Sequence, residues 1–68
     1  MINVDEHTSD LIQAVKAAAT ARSEAGNPMA MMTAVAWASG YSGHRKIDLM
    51  VFYDALESMY REGLITSI

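Results

Sequence analysis

Ser42, His44 and Asp48 bring a hydroxyl, an imidazole and a carboxylate into one seven-residue stretch. On a continuous helix His44 and Asp48, four apart, would lie side by side. The carboxylate would then orient the ring for general-base work on a nearby serine. Acyl-transfer chemistry also needs oxyanion donors and a pocket that excludes water, and this stretch reads instead as an exposed turn. Asp54 and Glu57 are three apart, as are Asp5 and Thr8, and neither pair has the companion oxygens of a cation site. Gly40-Tyr41-Ser42-Gly43 lacks the glycine density and the lysine of a phosphate loop. With no cysteine and only His7 and His44, a structural zinc site is not expected either. The chain is therefore expected to be non-enzymatic, with no cofactor and no metal.

A length of 68 residues bounds the chain to one domain, 1–68. At this size only about 60% of the extended surface is buried on folding, so stability is marginal unless a second subunit contributes. Five Lys and Arg against eight Asp and Glu give a net charge of −3, which lends nothing to non-specific binding of phosphate backbones. Met1 to Glu6 has no basic region leading into an apolar core, so no secretory signal is expected. No apolar run approaches the roughly 20 residues that cross a bilayer. A cytoplasmic protein with no membrane partner is the expectation.

The elements that would position any site read as three helices. Residues 1–7 form a flexible or extended N-terminal arm. Thr8 or Ser9 caps a first helix whose face carries Leu11, Ile12, Val15, Ala18, Ala19 and Arg22. Its alanines favour helix and present a thin surface. The helix fades near Glu24 before Gly26-Asn27-Pro28, where Asn27 and Pro28 suit the start of a second helix. That helix is expected from Pro28 to about Ala38, with Met31, Met32, Val35 and Ala36 inward and Trp37 at an edge. Ser39-Gly40 closes it, with Gly40 in the left-handed position. A third helix starts at either Ser42 or Asp48. It ends near Glu62, with Gly63 left-handed and Leu64 folding back towards Met59. Residues 65–68 are expected to pack across a helix rather than form a sheet.

The crowded run Ile47 to Leu56 dominates this third helix. One stripe, Leu49, Phe52, Tyr53, Leu56, Met59 and Tyr60, serves the core. A second, through Ile47, Met50 and Val51, is left over. Leaving such side chains open forgoes about 1.5–3 kcal/mol each, and closed twofold pairing is the commonest way to cover them.

Thr33 to Ser42 resembles the first helix and turn of a helix-turn-helix unit. Leu56 to Ile65 resembles the end of a winged-helix recognition helix. This resemblance implies a DNA-binding regulator with His44, Arg45 and Lys46 at the front of its second helix. Leu49 to Ala55 is also similar to a Val-Phe-Tyr string in the Hha/YmoA family of small helical nucleoid modulators; it covers one helix only, and no function follows from it.

The reading is an all-α, small three-helix domain, two short helices and a longer apolar C-terminal helix, expected to be dimeric. Its expected function is to bind and modulate, by inhibition, a partner regulatory protein or enzyme. The alternatives are a DNA-binding helix-turn-helix-like regulator and a structural homo-oligomer subunit. The partner or dimer interface is assigned to Ile47, Met50, Val51, Tyr53, Tyr60 and Tyr41, with His44, Arg45 and Lys46 as a polar rim or nucleic-acid contact.

Overall fold

The elements run α1 (Glu6–Glu24), β1 (Met29–Ala30), α2 (Met31–Ser42), α3 (Leu49–Arg61) and β2 (Ile65–Thr66). The computed structural model describes residues 6–42 and 47–67, leaving aside the side chains of Glu6, Tyr41 and Ser42. The expected three-helix domain forms, but its proportions are reversed: α1 has 19 residues and α3 only 13. Residues 1–5 of the expected arm lie outside the described residues, while Glu6 and His7 already belong to α1.

Helix α1 needs no cap at Thr8 or Ser9, because both sit inside it. Thr8 is instead fully buried. Leu11, Val15 and Ala19 follow at successive four-residue intervals and are buried in the core, as one face of a helix requires. Arg22, expected on that face, is exposed: by the last turn the helix has run past the core, and a cation is favourable near its carbonyl end. The stop is a full C-terminal motif. Gly26 takes φ 79°, its N–H donates to the Ser23 carbonyl, and the Asn27 N–H donates to the Arg22 carbonyl at 2.9 Å.

Two expectations for the middle of the chain are corrected. Pro28 does not open α2, because Met29 and Ala30 extend and pair in parallel with Ile65 and Thr66, Met29 opposite Ile65. The C-terminal segment thus forms a strand after all. Burial explains the choice: Met29 and Ile65 both point into the core, and pairing satisfies backbone groups that would otherwise be buried unpaired. Starting α2 at Met31 also changes its phase. Ala34 and Ala38 are buried with Met31 and Val35 beside them, whereas Met32 and Ala36, expected inward, are exposed. Gly40 does not end α2. The helix continues to Ser42, and Gly40 lacks the left-handed backbone seen at Gly26 and Gly63.

Helix α3 starts where the helix dipole favours it. Asp48 is the cap, its Oδ1 accepting the N–H groups of Met50 at 3.1 Å and Val51 at 3.2 Å. It ends as expected. Gly63 takes φ 82°, and the Leu64 N–H reaches the Met59 carbonyl at 2.9 Å. This turn delivers Ile65 to Met29 and closes the core over Phe52, Leu56 and Met59. The radius of gyration, 11.7 Å, is near the roughly 11 Å of a compact chain of this length.

Candidate functional site

The residues that first suggested catalysis do not assemble into a described site. Asp48 is committed to capping α3. His44 and the Ser42 side chain lie outside the described residues, as do Arg45 and Lys46 of the expected polar rim and the Tyr41 side chain. Among the described residues no group of three His, Asp or Glu could hold a metal ion. No described helix is long and apolar enough to cross a membrane.

What the structure does present is a face of α3. At about 3.6 residues per turn, Phe52, Leu56 and Met59 form the inward line, and Leu49, Tyr53 and Tyr60 form another, rotated by roughly 70°. The second line is open: Leu49 is 49% exposed and Tyr53 and Tyr60 are 48% exposed each. Met50, next to it, is 79% exposed. The rings of Phe52 and Tyr53 lie 5.9 Å apart, tilted by 48°, so the exposed tyrosine is braced on the buried phenylalanine.

Helix α3 therefore carries a surplus of apolar side chains, but the division between core and surface differs from the sequence expectation. Ile47 and Val51 are half-buried, and Ile47 packs against the core. Leu49, Tyr53 and Tyr60, placed in the core stripe by sequence, open to solvent in their stead. Of the expected interface residues, Met50, Tyr53 and Tyr60 share one exposed face. The periodicity contained this answer, since Leu49, Tyr53 and Tyr60 are spaced four and seven apart. What it lacked was the helix start: with Asp48 as cap, Leu49 falls in the first turn, at the edge of the bundle.

The face has a definite charge pattern. Asp54, Glu57 and Arg61 are exposed on or beside it, two acids against one base. Glu57 and Arg61 pair at 3.6 Å within the helix, an exposed contact that contributes little to stability. Elsewhere, Met32 on α2 is 73% exposed; its neighbours on that face are Ala36, Ser39 and Gly40, which offer little area.

No protein-family model, curated protein or solved structure matches this chain. The fold defines a class alone: a small, mostly helical three-helix domain.

Proposed function

We propose that the chain is a non-enzymatic interaction module of the cytoplasm, which binds a regulatory protein or enzyme and inhibits it by occupying its surface. The observation that carries this reading is the α3 face through Leu49, Met50, Tyr53 and Tyr60. Large apolar side chains grouped on one rigid helix mark contact surfaces, where scattered single ones would need no explanation. Tyrosine is favoured at such positions because it combines area with a hydroxyl and orders few rotatable bonds. The helix is capped at both ends, so the face is presented without a folding step.

The same face argues for protein over nucleic acid as target. A surface that meets phosphates carries Lys and Arg, whereas this one carries Asp54 and Glu57 against Arg61.

Affinity capture from the source cells tests the reading, with wild type compared with Tyr53→Glu on the face and Lys16→Glu on exposed α1. A partner retained near one-to-one by wild type and by Lys16→Glu, and released by Tyr53→Glu, supports it. Equal retention by all three chains overturns it.

A further inference from the structure

The chain has six methionines and no cysteine, so thioethers are its only sulfur groups. The fold sorts them sharply. Among the described residues, Met29 and Met59 are 1% and 3% exposed, whereas Met32 and Met50 are 73% and 79% exposed on helices. Met31 packs against the core. A thioether must meet its oxidant to react, so burial decides which sulfurs are open to oxidation in the folded chain. The two exposed ones differ in their surroundings. Met32 shares its face of α2 with Ala36, Ser39 and Gly40, which add little apolar area. Met50 lies next to Leu49 and three residues from Tyr53, within the apolar face of α3. We infer that Met50 is a modification site for peroxides, and that its sulfoxide turns the α3 face polar while the fold stays intact.

The Sδ lone pair attacks one oxygen of the peroxide. An S–O bond forms and the O–O bond breaks. The departing oxygen keeps the peroxide's protons and leaves as water, or as an alcohol from an organic hydroperoxide. The sulfur gives up two electrons and the peroxide takes them, so no other reactant is needed. A flexible apolar side chain becomes a polar one. At Met50 the new oxygen meets solvent, and the backbone N–H stays on Asp48 Oδ1 at 3.1 Å in the capped first turn. At Met29, paired with Ile65, or at Met59, the same oxygen would enter the packed core. Oxidation there requires the chain to open first, and it costs packing. The exposed sulfoxide at Met50 is also within reach of a sulfoxide reductase, which makes the change reversible.

A consequence follows for the proposed function. The oxidised chain keeps its shape but loses part of the apolar contact, so peroxide releases the partner and reduction restores it.

Peptide mass spectrometry of the folded chain after graded hydrogen peroxide tests the inference, with Met50→Leu and Met32→Leu treated alongside. Circular dichroism is the fold control, and retention on a phenyl column measures exposed apolar surface. Met50 is expected to gain one oxygen roughly tenfold or more faster than Met29 or Met59, at unchanged helicity. Wild type should then lose more retention than Met50→Leu at the same dose, and Met32→Leu nearly as much as wild type. Methionine sulfoxide reductase should restore the loss. Equal rates at Met50 and Met59 overturn the inference. So does loss of helix when only Met32 and Met50 are oxidised, or a retention loss that Met50→Leu does not diminish. Partner release rests on reading this face as the contact surface, yet the two fail separately. Capture insensitive to Tyr53→Glu removes the surface and leaves the oxidation pattern standing. Capture that Tyr53→Glu abolishes, but that oxidised wild type and oxidised Met50→Leu achieve equally, removes the switch alone.

Discussion

The backbone N–H of Asp48 donates to the Oγ1 of Thr8 at 2.9 Å, joining residues 40 apart in the chain. Thr8 is fully buried in α1, and Asp48 in turn caps α3 through its own carboxylate. One residue thereby fixes where α3 begins and ties that beginning to α1. The rotation of α3 follows: Phe52 turns inward, and Tyr53 outward. The exposed face is a consequence of this link as much as of the hydrophobic pattern.

Thr8→Val tests the link, since it keeps the shape and removes the acceptor. Stranding the Asp48 N–H costs about 1–3 kcal/mol, and each kcal/mol lowers Tm by roughly 4–8 °C in a domain of this size. Thr8→Ser keeps the oxygen and loses one methyl, so it falls by only about 1 kcal/mol. Thermal melts of the three chains should rank wild type, serine, valine. A valine variant as stable as wild type would mean the bond contributes nothing.

The exposed glycines Gly40 and Gly63 should respond to alanine with opposite signs. A Cβ at either meets nothing within 4 Å, so backbone conformation decides. Gly63 has φ 82°, where an L side chain costs about 1–2 kcal/mol, and Gly63→Ala should lower the urea midpoint. Gly40 lies inside α2, where alanine exceeds glycine by about 0.8–1.0 kcal/mol, and Gly40→Ala should raise it. Destabilisation by Gly40→Ala would return α2 to the shorter helix that Ser39-Gly40 suggests from sequence alone.

These positions show what was legible. Local chemistry was read correctly at Gly63 with Leu64 behind it, at the break at Gly26, and at Asp48 as one of two candidate caps, but not at Gly40, through which α2 continues. It misled where a distant partner decides. Asn27-Pro28 makes a good helix start, but Met29 is drawn into pairing with Ile65, a contact no local pattern encodes. Thr8 has the chemistry of a cap, and its hydroxyl is spent on Asp48. The α3 surplus was visible in composition, while its division into face and core depended on the helix start, and so on Thr8.

Substitutions along α3 should separate these two roles. Phe52→Ala removes a fully buried ring at about 3–5 kcal/mol. A chain of this length holds only about 3–10 kcal/mol in total, so much of the population should unfold at 37 °C. Met50→Ala should change the stability of the single chain by less than about 0.5 kcal/mol. Val51→Asp, at a half-buried position, should lower Tm sharply instead of only altering association. Melts at a concentration low enough to keep the chain monomeric decide this. A tolerant Phe52 or a costly Met50 would reverse the assignment of faces.

Binding to duplex DNA is the sharpest contrast to a protein target, because its salt dependence has a known form. A protein that neutralises phosphates loses affinity with a slope of about −0.9 per contact in log K against log salt. His44, Arg45 and Lys46 are the only three such groups adjacent in the sequence, and three contacts on a chain of net charge −3 give a weak, shallow interaction. The acids of the α3 face would meet the same backbone and oppose it. No retention on a DNA column at about 50 mM salt is therefore expected. Retention that disappears by about 200 mM, and that Arg45→Glu with Lys46→Glu abolishes, would place the contact at the front of α3 and make nucleic acid the target.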